Sequence, residues 1–171
     1  MPLRYLILSL LCCLGFAVAE ASNLKFRMQH FSSELPQGNV LAIEQDRHGY
    51  IYMATRNGLC RYDGKSFRNF KSYPFDDCIL STNRIDQCFV SVNNYIWCIT
   101  NDHRCFLFDP KQEKFFDPLK AFSADNGESL STEWIYPLDN GITWIACKGA
   151  AFRVEEQQLD ENFTGGGNYT L

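Results

Sequence analysis

A four-strand pattern that recurs at an interval of about 45 residues constrains this chain more than any other feature. Its clearest copy runs from Asn39 to Phe70. Apolar Val40 to Ile43 leads to a polar turn at Asp46 to Gly49, then Tyr50 to Thr55, a turn at Arg56 to Gly58, Leu59 to Tyr62, the Asp63-Gly64 turn, and Ser66 to Phe70. Strand-length runs separated by Asp, Asn and Gly at hairpin spacing read as an antiparallel meander. A second copy, Asn83 to Phe116, places Trp97 45 positions after Tyr52, and a weaker third, Glu133 to Val154, places Trp144 47 positions after Trp97. Four strands per unit, with one aromatic at a fixed place, are the signature of propeller blades. The expected fold is therefore all-β: a β-propeller fragment of about three four-stranded antiparallel blades, with a ring that is not closed, since closure needs roughly 4 to 8 blades.

The repeat sets the expected boundaries. Residues 1–21 read as a signal peptide, with Arg4 ahead of an apolar run from Tyr5 to Val18 and small residues at Ala17-Val18-Ala19. The run is too short for a membrane span. Residues 22–38 hold a strand over Leu24 to Phe31, suited to closing a ring, and a lead-in loop. Blade one spans 39–82, blade two 83–132, and 133–171 hold a partial third blade and a flexible tail that begins in the acidic run Glu155 to Asn162. A closing strand without a last blade to complete marks the chain as the N-terminal piece of something longer.

Export puts the mature cysteines, Cys60, Cys78, Cys88, Cys98, Cys105 and Cys147, in an oxidising space. All but Cys78 occupy apolar strand positions and read as small buried hydrophobes. A tight turn at Asn93-Asn94 would set Cys98 opposite Phe89 and Cys88 opposite Ile99, on opposite faces of the hairpin. No metal site is expected: there is no Cys-x2-Cys pair, and His30, His48 and His103 are scattered. Nor is a cofactor or a catalytic residue. Asp76-Asp77 are adjacent loop carboxylates with no second acid located.

Tyr52, Trp97 and Trp144 share one repeat position and read as wedges between adjacent blades rather than as sugar-stacking platforms. Gly49, Gly58 and Gly64 are turn glycines, and Asp46, Asp63 and Asp109 turn-capping acceptors. Arg56, Asn57, Asp102, His103 and Lys148 fall in the equivalent inter-strand loop of each blade. They would gather on one face as a candidate surface for sugar hydroxyls.

The run Leu35 to Phe70 resembles the regulator propeller repeats at the N-terminus of hybrid two-component sensor kinases of gut Bacteroides. The likeness lies in Leu35-Pro36, Asn39-Val40, Gln45-Asp46, Gly49, Tyr52, Thr55, Asn57-Gly58-Leu59, Tyr62-Asp63-Gly64 and Phe67. Blade two keeps Asn83, Ile85, Trp97, Thr100, Phe108-Asp109 and Phe115. The resemblance implies a periplasmic, non-catalytic sensor that responds to oligosaccharides. Its partners would be that ligand and the remaining blades of a parent chain, with no membrane contact after signal cleavage. A net charge of −4 and a pI near 5.3 make nucleic acid or an anionic glycan a poor direct partner. The alternative is a fragment of a secreted propeller enzyme, a polysaccharide lyase or glycoside hydrolase. That would require a convergent pair of carboxylates or a Tyr/His/Arg cluster.

Overall fold

A computed structural model of the chain describes residue 28 and residues 39–75, 80–120 and 130–159. The signal peptide, the closing strand over 24–31, Asp76-Asp77, Cys78 and the end of the tail lie outside the described residues. Apart from residue 28, the described segments fall in one compact unit, Phe31–Leu171.

Among the described residues eleven strands make three antiparallel sheets. The first is β1 (Val40–Gln45), β2 (Ile51–Thr55), β3 (Gly58–Tyr62) and β4 (Phe67–Phe70), paired in sequence order. The second, also in sequence order, is β5 (Ile85–Val90), β6 (Ile96–Thr100), β7 (Cys105–Asp109) and β8 (Lys114–Phe116). The third has three strands among the described residues, β9 (Thr132–Pro137), β10 (Ile142–Cys147) and β11 (Ala150–Glu155), followed by a 3-10 turn over Glu156–Gln158. Among the described residues no strand pairing joins one sheet to another; the architecture is all-β and the three sheets do not close a ring. The turns form where short acidic side chains capture free backbone donors. The Asp46 carboxylate accepts from His48 N and Tyr50 N at 2.9 Å each, Asp63 from Lys65 N and Ser66 N, and Asp109 from Lys111 N at 2.8 Å.

Two apolar layers hold the sheets face to face. The first places Tyr52, Ala54, Leu59 and Phe70 of sheet one against Ile85, Cys88, Ile96, Cys98, Phe106 and Phe108 of sheet two. The second places Trp97, Ile99, Cys105 and Leu107 of sheet two against Ile135, Ile145, Phe152 and Val154 of sheet three. Sheet two is thus apolar on both faces, and β6 and β7 are buried along their whole length. The long connections contribute as well: Leu80 and Leu119 are buried in the two layers. Asn83 ties one of these connections down, accepting from Ser72 N at 3.0 Å and donating to Ser72 O at 3.3 Å.

One reading from the sequence is corrected by register. The β5–β6 connection spans residues 91–95 rather than a two-residue turn, closed by Ser91 N donating to Tyr95 O at 2.9 Å. Cys88 therefore pairs with Cys98, and Phe89 with Trp97. The two cysteines lie on one face, because a one-residue change of register moves every side chain of a strand to the other face. Trp144 shares the strand position of Tyr52 and Trp97, yet those two are fully buried while Trp144 is 39% exposed. Trp134, at the edge of sheet three, meets Phe89 of sheet two edge-on with ring centroids 5.6 Å apart, but no described sheet covers the face that Trp144 shares with the exposed Tyr136.

The β2–β3 turn gives a direct test of backbone geometry. Gly58 has φ +108°, and a Cβ there would lie 2.3 Å from the Phe70 carbonyl oxygen. Gly58→Ala is expected to cost about 2–3 kcal/mol, combining positive-φ strain with displacement of β4. Gly149, at φ +83° in the corresponding turn of sheet three, faces open space. Gly149→Ala should cost only about 1 kcal/mol. Urea midpoints of the two variants compare them, and equal losses would contradict the clash.

Candidate functional site

Antiparallel meanders place alternate turns at opposite ends of each sheet, so the β2–β3, β6–β7 and β10–β11 turns share one end. Backbone hydrogen bonds string these turns into a row. Gly58 N donates to Asn83 O at 2.7 Å, and Asn101 N donates to the adjoining Arg84 O at 3.1 Å. One sheet further on, Thr132 N donates to His103 O at 2.7 Å, and Lys148 N donates to Ser131 O at 2.9 Å. Each lead-in segment thus bridges the turn of its own sheet to the turn of the sheet before it.

This row carries the five candidate residues. Arg56, Asp102, His103 and Lys148 are exposed, and Asn57 is half-buried. They do not all have free polar groups. The Asp102 carboxylate accepts from Thr100 Oγ1 at 2.6 Å and Ser81 Oγ at 2.9 Å, so it braces the turn. Asn57 N donates to Thr55 Oγ1, and Asn57 O accepts from Asn69 Nδ2 at 2.9 Å. His103 holds φ +61°, the conformation that the tight β6–β7 turn demands. Gly49, the remaining repeat position singled out in the sequence, lies at the other end of sheet one, in the β1–β2 turn.

At that other end, a cavity of about 590 Å³ opens between sheets one and two, lined by Asp46, Tyr52, Arg61, Asn94 and Asp109 among others. The Tyr52 hydroxyl is buried there and no acceptor takes its proton. Burial pushes its phenol up, with Arg61 alongside pulling the other way. Arg61 is itself tied across the sheets to Glu113 at 3.4 Å, while Arg68 also contacts Glu113.

The matching place between sheets two and three is filled by the protein. Glu156, 2% exposed, accepts from Trp97 Nε1 at 2.7 Å, Thr143 Oγ1 at 2.7 Å and Asn93 Nδ2 at 2.9 Å. Sequence reasoning missed this residue because Glu156 sits in a run of acidic and polar residues that reads as tail. The Glu156 N–H also donates to Gly141 O at 3.0 Å, turning the chain back onto the sheet.

The described cysteines Cys60, Cys88, Cys98, Cys105 and Cys147 are free thiols and all buried. Burial pushes Cys60 up to about 11 and Cys88 up to about 12, and raises Cys98 and Cys105 as well. They are not thiolate nucleophiles at neutral pH. Among the described residues no three His, Cys, Asp or Glu side chains come together as metal ligands. No described helix is long and apolar enough to cross a membrane.

Residues 34–57 match the family described as the two component regulator propeller. Histidine kinase P4 of Formosa agariphila is 35% identical over 63 residues, which take in 37% of this chain and 5% of that protein. Among solved structures, the extracellular domain of a putative one component system from B. thetaiotaomicron is 19% identical, with a TM-score of 0.49 over 73% of this chain and 18% of the other. The extracellular domain of a putative hybrid two component system from the same organism is 18% identical, with a TM-score of 0.42, over 75% of this chain and 25% of the other. The chain therefore spans only a small part of each of these relatives.

Proposed function

We propose, starting from the two-component regulator propeller repeat at residues 34–57, that this chain is the N-terminal part of a periplasmic sensor propeller. In this reading it responds to oligosaccharides and carries out no chemistry itself. The family match is the observation that carries it. The exposed face of sheet three is where the next blade of a parent chain would pack. Trp144 would then be buried as Tyr52 and Trp97 are by the sheet that follows each of them.

The ligand surface in this reading is the row of turns bearing Arg56, Asn57, Asp102, His103 and Lys148. Three of these side chains, Arg56, His103 and Lys148, are exposed donors that can meet sugar hydroxyls, while Asp102 keeps the middle turn in shape.

Two measurements test the proposal. Sequencing the gene beyond the codon for Leu171 is expected to show further blades, a membrane helix and a kinase; a stop codon there would overturn the sensor reading. A glycan array probed with the chain, followed by calorimetry on the strongest hit, tests the surface. The triple variant Arg56→Ala/His103→Ala/Lys148→Ala should lose at least about tenfold in affinity while keeping its thermal midpoint. Unchanged affinity would remove these residues from the site.

A further inference from the structure

We propose that Cys88 and Cys98 form a cross-strand disulfide within the β5–β6 hairpin. The register makes them direct partners. The Ser91 to Tyr95 hydrogen bond closes the hairpin, and the bond pattern alternates from there, so 89↔97 is a hydrogen-bonded pair while 90↔96 and 88↔98 are not. A non-hydrogen-bonded antiparallel pair brings its Cα atoms to about 4.5 Å, inside the disulfide range of roughly 4.4–6.8 Å. Both side chains face sheet one in the same apolar layer.

The repeat adds a second, independent pointer. The same cross-strand pair is Ile43 with Met53 in sheet one and Ile135 with Ile145 in sheet three. Only sheet two replaces both members, and it replaces both with cysteine. Had a small hydrophobe alone been wanted, nothing would require the two to coincide.

The structure shows the reduced pair. Cys98 Sγ is turned toward Ile96 O at 3.8 Å, and rotation about the Cα–Cβ bonds would bring the sulfurs together. Once the sheets have packed, both thiols are sealed from solvent. Oxidation therefore belongs to the folding chain, when the hairpin has formed locally but sheet one does not yet cover it. The oxidant is a protein or small-molecule disulfide of the exported compartment. One cysteine thiolate attacks it to give a mixed disulfide and release one thiol. The second cysteine thiolate then displaces the other, forming the Cys88–Cys98 bond. Two electrons pass to the oxidant, and the two protons end on its released thiols.

The test is peptide mapping of the full chain, once exported to a bacterial periplasm and once refolded with oxidised and reduced glutathione. Samples are alkylated in denaturant without prior reduction. Trypsin leaves both sulfurs in the single peptide Ile85–Arg104. The expected result is that peptide two hydrogens lighter than its dithiol form and carrying no alkyl group. Alkylation of both cysteines in both samples overturns the proposal, as does a bond from either one to Cys60, Cys105 or Cys147. Reduction of the oxidised wild type should also lower its thermal midpoint by roughly 5 °C or more. The variant Cys88→Ile/Cys98→Ile, which copies the aliphatic pair of sheet three, should fold and show no response to reductant. An equal response in that variant would place the redox effect elsewhere.

Discussion

Replacing Trp97 by alanine is expected to destabilise the chain by about 4 kcal/mol, while the same change at Trp144 should cost no more than about 1 kcal/mol. Both residues occupy the same position of the same repeat, so sequence alone assigns them one role. Trp97 is fully buried between sheets two and three, packs with Ile145 and Phe152, and donates its indole N–H to Glu156. Removing it leaves a large cavity and an acceptor without its donor, and both effects act in the same direction. Trp144 pairs with Tyr136 and Arg153 on a face that no described sheet covers. Urea unfolding of the two variants measures the difference directly. Similar midpoints would mean that blade packing does not depend on the wedge aromatic. If the next blade is present in a longer version of the chain, the Trp144→Ala cost should rise to match that of Trp97→Ala.

Glu156→Ala is expected to cost about 3 kcal/mol, although the residue lies beyond the last strand and in an acidic run. Its side chain gathers three donors from two sheets: Trp97 and Asn93 of the second, Thr143 of the third. Truncation strands Trp97 Nε1 and Thr143 Oγ1 in a buried interface, and an unmet buried donor costs more than a made bond gains. Glu156→Gln keeps one oxygen for these two donors but turns an amide toward the Asn93 amide. It should cost about 1 kcal/mol. The indole N–H resonance of Trp97 reports the same contact and should move in both variants. A Glu156→Ala chain as stable as wild type would show that water replaces the carboxyl group. The effects of Trp97→Phe and Glu156→Ala should not add, since each removes the same Trp97–Glu156 hydrogen bond.

The neighbouring interface has no counterpart of Glu156 among the described residues. Between sheets one and two the wedge is Tyr52, and no acidic side chain reaches its hydroxyl. That end of the interface is a cavity instead, bounded by Arg61 and the capped turns of Asp46 and Asp109. The two blade interfaces are thus alike in their apolar layers and different at their polar ends.

The sequence by itself determined the strands and their order. In the first sheet each strand begins and ends within two residues of the positions read from alternation and turn residues. Local chemistry is enough for that: Asp46, Asp63 and Asp109 cap their turns through their own nearby backbone, and a propeller blade pairs only strands adjacent in sequence. The repeat also located the wedge position. What the sequence left undecided was everything that depends on a partner far along the chain. The cysteine register turned on a five-residue connection instead of a two-residue turn, a difference that Asn93-Asn94 does not announce. Whether an aromatic at the wedge position is buried depends on the presence of a following sheet, which composition at Trp144 cannot state. Glu156 reads as solvated because acidic runs usually are. It is buried only because Trp97, 59 positions earlier, offers it a proton across a packed interface. The candidate turn row was similarly legible as a list of loop residues. Its assembly depends on Asn83–Arg84 and Ser131–Thr132 bridging successive turns, through backbone groups that no side-chain pattern encodes.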